Sequence, residues 1–93
     1  MYGTVAKMRV KPENREQLRK VAEAQNVEQV EGFVASYTLF ENDSDVAWLL
    51  AVFADRATYD ANANDPAQHE RFMELRALMD ADPEWHDGEI ESM

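Results

Sequence analysis

The sequence predicts an α+β fold with the element order β-α-β-β-α-β, and three observations carry that prediction. The first stretch alternates apolar and charged residues. Two later stretches have helical periodicity and open on a proline. Between them lie two apolar runs separated by five polar residues.

Residues 2–11 read as the first strand. Ala6, Met8 and Val10 fall on one side, and Lys7, Arg9 and Lys11 on the other. A period of two with a β-branched bias makes a strand with two different faces. Pro12 suits the first turn of a helix, where its missing N–H has no intrahelical partner to lose. From Glu13 to about Gln25, Leu18, Val21 and Ala22 recur at helical spacing with charges elsewhere, an amphipathic helix.

Glu31-Gly32 is a turn, and Phe33 to Phe40 is rich in β-branched and aromatic residues. Residues 41–45 are polar and turn-forming, and Val46 to Phe53 is the most apolar run of the chain. Two such runs around a short polar loop predict a β-hairpin. Pairing Phe40 with Val46 puts Phe33, Ala35, Tyr37 and Leu39 on one face with Ala47, Leu49, Ala51 and Phe53. Ser36, Thr38, Trp48, Leu50 and Val52 take the other. Neither face is strongly charged, so both are expected to be covered.

Asp55 opens a short helical stretch over 55–64. Asp65-Pro66-Ala67-Gln68 then supplies an N-cap, a proline at the first helical position and a glutamine in the capping-box position. The second helix is expected from Pro66 to about Asp80, burying Phe72, Leu75, Leu78 and Met79. Asp82-Pro83 ends it, and Trp85 to Ser92 forms a final short strand.

This order is the ferredoxin-like plan: an antiparallel four-stranded sheet in spatial order 4-1-3-2, with both helices on one face. The helices cover one face only, yet the hairpin is apolar on both. A second copy of the chain is therefore expected on the other, giving a homodimer whose two sheets pack into a closed barrel. Ninety-three residues form one domain, 1–93, whose modest core favours such association.

Composition narrows the function. The absence of cysteine excludes disulfides, thiolate zinc sites and cysteine nucleophiles. The longest run free of polar residues, Val46 to Ala54, is far short of the roughly 20 residues of a membrane span, so no membrane partner is expected. No signal-type apolar block follows the early basic residues, and a cytoplasmic setting is the expectation. Nine Lys+Arg against 19 Asp+Glu give a net charge of −10. Such a surface repels phosphate polyanions, which argues against nucleic acid, and keeps the chain soluble.

The chemistry is less legible. The sequence has no Ser-His-Asp arrangement, glycine-rich phosphate loop or paired-carboxylate motif. His86 sits near Glu84, Asp87 and Glu89, but on a strand it points away from Asp87 and Glu89, so no metal site is expected. Lys7 and Arg9 need partners if their face is covered, and the acids of the last strand are the candidates. Trp48 is expected to fill the barrel interior. His69, three residues before Phe72, stands at the edge of the second helix's apolar face, where an imidazole could orient or deprotonate a ligand.

Three stretches carry a family resemblance: Val30-Glu31-Gly32-Phe33, Leu50-Ala51-Val52-Phe53-Ala54-Asp55-Arg56, and Tyr59 to His69 with its small-polar-Pro step. Together with the element order, they resemble the antibiotic-biosynthesis-monooxygenase-like group of the dimeric α/β-barrel superfamily. The resemblance implies a homodimer with one apolar pocket per subunit, between sheet and helices. It also implies oxidation of polycyclic aromatic substrates by O₂ with no metal or flavin. Haem-degrading relatives use an Asn on the first strand with a Trp and a His on the second helical region. Here no Asn precedes Asn14, Asn62 stands where the Trp would fall, and Phe72 or a neighbour where the His would. His69 is about three residues away, and these departures argue against haem degradation.

The expectation is therefore a cofactor-independent monooxygenase for a small aromatic, quinol- or polyketide-like substrate. The alternative is a non-catalytic dimeric barrel that binds a small apolar ligand or serves a structural role. The expected site is one cavity lined by Tyr37, Phe53, Asn62, His69 and Phe72. Phe53 and Phe72 would form apolar walls, Tyr37 and Asn62 would orient the ligand, and His69 would act as base.

Overall fold

The computed structural model describes all 93 residues. In chain order they form β1 (Tyr2–Arg9), α1 (Arg15–Ala24), β2 (Phe33–Phe40), β3 (Val46–Phe53), α2 (Arg56–Ala63), α3 (Pro66–Arg76) and β4 (Glu84–Glu89). Single 3₁₀ turns lie at Pro12–Asn14 and Val27–Gln29. The sheet runs β2-β3-β1-β4 with every neighbouring pair antiparallel, which is the expected order read from the other edge. The fold is α+β and ferredoxin-like.

Cross-strand registers sort the side chains into two faces. Thr38, Leu49, Ala6 and Trp85 stand opposite one another across the sheet, as do Ser36, Ala51, Thr4 and Asp87. These rows lie under the helices. Met8 and Ala47, on the same face, pack with Val10, Leu18 and Met79 into the buried core, with Phe40, Leu49, Leu75 and Leu78 against it. The other face carries the rows Tyr37, Leu50, Val5, His86 and Leu39, Trp48, Lys7, Glu84. No helix of the chain covers it.

Tyr37 is thus a correction. Phe40 pairs with Ala47, one residue beyond the expected Val46, and Tyr37 meets Leu50. Side chains alternate along a strand, so this one-residue difference turns Tyr37 away from the helices. It is 67% exposed on the open face. The register shift between Phe33 and Ala35 leaves Val34 as an extra residue, so Phe33 still pairs with Phe53. The hairpin therefore contributes Phe33 to the helix side and Ala35, Tyr37 and Leu39 to the open side.

Two ends differ from expectation for local reasons. The α3 helix stops at Arg76, and the Leu78 and Met79 N–H groups close i→i+3 turns on the Leu75 and Arg76 carbonyls. Arg76 Nη1 donates to the Met79 carbonyl at 3.1 Å, and the Asp80 N–H donates to the Arg9 carbonyl at 2.9 Å, drawing the chain down onto β1. Met79 remains buried, as anticipated. The last strand ends at Glu89 because its partner runs out: Glu89 pairs with Tyr2, and Ile90 N–H reaches Met1.

Arg9 is the other correction. It pairs with Asp45 of the hairpin loop at 3.0 Å. The register of β4 stops at Glu84 opposite Lys7, so that strand cannot reach Arg9. Lys7 instead lies over the Trp48 ring, 5.9 Å from its centroid, and the Trp48 Nε1–H donates to Glu41 at 2.6 Å.

Candidate functional site

Helices α2 and α3 are one helical region broken by polar capping. The Asp55 carboxylate accepts the Thr58 N–H at 2.8 Å and starts α2, and this backbone donor, with the Thr58 side chain, lowers the acid's pKa. The Asp65 carboxylate accepts the Ala67 N–H at 2.9 Å and starts α3, with Pro66 in its first turn. Gln68 does not complete a capping box, because its side-chain oxygen accepts from Arg71 Nε at 3.1 Å.

At this break the surface folds inward into a cleft of about 420 Å³. Ala57, Thr58, Ala61 and Asn62 of α2 form one wall, Asp65 and Arg71 the end, and Val30 with Glu31 the opposite lip. Gly32 brings that lip close. Its φ is +83°, and a Cβ there would run into the Thr58 side chain, so only glycine lets the turn approach α2. The Arg71 guanidinium is held from two sides, by Gln68 and by Asn62 Oδ1, which accepts from Nη2 at 3.3 Å.

Beside the cleft, the inner side of α2 meets the sheet through aromatic rings. Tyr59 lies 5.3 Å from Tyr2 and 5.6 Å from Phe53, and Phe53 meets Phe33 edge-on at 6.0 Å, all centroid to centroid. The Tyr59 hydroxyl donates to Asp87 Oδ1 at 2.9 Å. Burial raises the Tyr59 pKa to about 12, helped by the hydrogen bond and negative charge of Asp87. Tyr59 is thus a proton-holding donor at physiological pH.

The five expected site residues do not converge on one cavity. Asn62 lines the cleft. Phe53 is buried in the aromatic group. Phe72 packs against Trp85 at 5.7 Å on the helix side of the sheet. Tyr37 faces the opposite way. His69 is exposed, its side chain makes no hydrogen bond within the chain, and it borders no part of the cleft.

Helix geometry explains the last placement. The partly buried positions of α3 are Gln68, Arg71, Phe72, Leu75 and Arg76, spaced i, i+3, i+4, i+7, i+8. His69 lies just past the Arg76 edge of that stripe, about 90° from its centre. The same stripe carries Arg71, which the sequence reading passed over; an arginine at inward spacing beside Phe72 was the available signal. Tyr59 and Asp87 were also missed, since their meeting depends on β4 docking beside β1. On β4, His86 Nε2 sits 2.9 Å from Glu84 on the open face, while Asp87 takes the helix side.

The family model described as antibiotic biosynthesis monooxygenase matches residues 1–75. The chain belongs to this family. No protein of curated function matches it in sequence. Among solved structures, a mutant of SnoaB, a cofactor-independent oxygenase from Streptomyces nogalater, shares 20% identity. That match has a TM-score of 0.81 and covers 99% of this chain and 94% of the other. A conserved protein from Methanosarcina mazei shares 20% identity with a TM-score of 0.78, covering 97% and 92%. A protein from Chloroflexus aurantiacus, named for antibiotic biosynthesis monooxygenase, shares 22% with a TM-score of 0.76, covering 99% and 94%. At such identities the family members share the fold, whatever their substrates. No helix of the chain is long and apolar enough to cross a membrane.

Proposed function

We propose that this family member is a cofactor-independent monooxygenase acting on a small aromatic, quinol- or polyketide-like molecule. The observation that carries the reading is the cleft at the α2–α3 break, with Asn62 and Arg71 on its wall. Its volume of about 420 Å³ suits a small ligand. Family membership and the likeness to SnoaB supply the reaction class. On this reading residues 1–93 act as one domain in the cytoplasm. Asn62 orients the ligand, and Phe53 and Phe72 back the apolar interior beyond the cleft.

The reaction asks little of side chains. An activated ring CH₂ loses a proton, and the resulting carbanion passes electrons to O₂. The C–O bond then forms, the O–O bond breaks, and the products are a ring carbonyl and one water per O₂ consumed. The protein contributes orientation and exclusion of bulk water. His69, outside the cleft and exposed, is given no part in it. Tyr37 is likewise moved from the ligand to the subunit contact.

The active form in this proposal is a homodimer. Only 12 of 93 residues are buried in the single chain, and the open sheet face leaves Tyr37, Leu39 and Val5 exposed. A second copy laid on that face would cover them. Oxygen uptake with anthrone-like and dihydroxynaphthalene compounds tests the function. Consumption of one O₂ per substrate above the uncatalysed rate is expected; binding without uptake would make the chain a non-catalytic module.

A further inference from the structure

We propose that Arg71 is the specificity-determining residue of the cleft and receives an ionised oxygen of the ligand, a carboxylate, phenolate or enolate. The inference rests on the reading of that cleft as the substrate's entrance. Of the eight other cations, Arg9, Lys11, Arg19, Arg56 and Arg76 meet a carboxylate, respectively Asp45, Asp80, Glu16, Asp60 and Asp82. Lys7 lies over the Trp48 ring, Arg15 donates to the carbonyls of Glu41 and Ser44, and Lys20 has no ion-pair partner. Arg71 also meets none, in a chain with 19 acids, and of these unpaired cations it alone lines the cleft. Its guanidinium is gripped by the neutral amide oxygens of Gln68 and Asn62 at 3.1 and 3.3 Å. Neutral holders fix the orientation of the fork without cancelling its charge.

Nη1 has no partner within the chain, so donors remain for an incoming oxygen. A guanidinium presents parallel N–H groups that match a planar anionic oxygen pair, and such charge-assisted bonds are about twice as strong as neutral ones. The backbone of Arg71 is also anchored, since its carbonyl accepts Gln25 Nε2–H at 3.0 Å and ties the site to the end of α1.

The other charges of the cleft set a limit. Asp65 is engaged by the Ala67 N–H. Glu31 stands on the opposite lip with no ion-pair partner. One cation facing two acids admits a single negative charge on the Arg71 side and disfavours a second one across the cleft. The small side chains of Ala57 and Ala61 leave the α2 wall low and flat, which suits a planar ring. For an oxygenase this placement has a chemical use: Arg71 stabilises the deprotonated ligand, the form that passes electrons to O₂.

Titration calorimetry on the full chain with two matched probes tests the proposal. The first is 1-hydroxy-2-naphthoate, an anion at neutral pH, and the second its uncharged methyl ester. The wild type is expected to favour the anion by about tenfold to a hundredfold, the range of one charge-assisted contact. Arg71→Met should abolish that preference while leaving ester affinity within about threefold, whereas Arg56→Met, outside the cleft, should keep it. Equal binding of both probes by the wild type, no saturable binding of the anion, or an intact preference in Arg71→Met would each overturn the proposal. If Arg71→Met does not fold, amide chemical shifts of the wild type decide: anion-induced changes at Thr58, Ala61 and Asn62 support it, and changes confined elsewhere refute it. Oxygen uptake separates the two readings. Anion preference without O₂ consumption would sink the oxygenase and leave Arg71 standing. Uptake with an unchanged KM in Arg71→Met would do the reverse.

Discussion

The Tyr59 hydroxyl donates to Asp87 Oδ1 across 2.9 Å, joining α2 to the last strand through the helix side of the sheet. The two residues are 28 positions apart, and neither belongs to a recognisable motif. Their bond fixes the inner side of α2, and so the wall that Thr58, Ala61 and Asn62 present to the cleft on its other side.

A pH dependence follows from it. Burial and the neighbouring carboxylate raise the Tyr59 pKa from 10.0 to about 12 in the folded chain. The folded state therefore holds this proton more tightly than the unfolded state does. Stability from Tyr59 is complete below about pH 10 and is lost as pH rises toward about 12. Denaturation midpoints measured across that window should fall more steeply in the wild type than in Tyr59→Phe. Parallel profiles would show that Tyr59 ionises as it does in the unfolded chain.

The sheet order and helix starts were legible because they follow from local signals: alternation in residues 2–11, proline after a polar cap, and a polar loop between apolar runs. The hairpin register was not. Its loop is polar throughout, both strand faces are apolar, and the pattern does not penalise a slip by one residue. Val34 as an extra residue depends on that pairing and leaves no sequence mark. The site suffered from the same limit. His69 was singled out by residue type, whereas the helix stripe that meets the rest of the chain is set by Phe72 and carries Arg71.

Asp65 caps α3 by accepting from Ala67 alone, since Gln68 is occupied by Arg71. Asp65→Ala should cost about 1 kcal/mol, the usual loss of an N-cap, read as a lower denaturation midpoint. Gln68→Ala should cost the helix start nothing comparable and instead weaken binding of an anionic ligand. A larger stability loss for Gln68→Ala than for Asp65→Ala would mean that the box forms after all.

Arg15 clamps the hairpin loop onto α1. Its Nη2 donates to the carbonyls of Glu41 at 3.1 Å and Ser44 at 2.8 Å, and its guanidinium lies 5.0 Å from the Phe40 ring centre. Charged hydrogen bonds and a stacked cation together predict a loss of about 1–3 kcal/mol for Arg15→Ala. Arg15→Lys should recover little, because an ammonium lacks the fork that reaches two carbonyls and the plane that stacks. Denaturant melts that place Arg15→Lys level with the wild type would count against the clamp.

The open sheet face gives the last prediction. Tyr37 and Leu39 project from it 67% and 59% exposed, beside Trp48 and Leu50 on the next strand. Burying such side chains fully is worth about 1.5–3 kcal/mol each, so a face carrying several of them drives association strongly. Sedimentation at micromolar concentration should therefore report about twice the chain mass of 10.7 kDa. Leu39→Asp puts a charge on this face, where a covering subunit would strip its water without supplying a partner. That variant should sediment as a monomer and keep its helical signal, because Leu39 touches neither α1 nor the core under it. A wild type that stays monomeric and folded would refute the face-to-face barrel. A Leu39→Asp variant that remains dimeric would move the contact off this face.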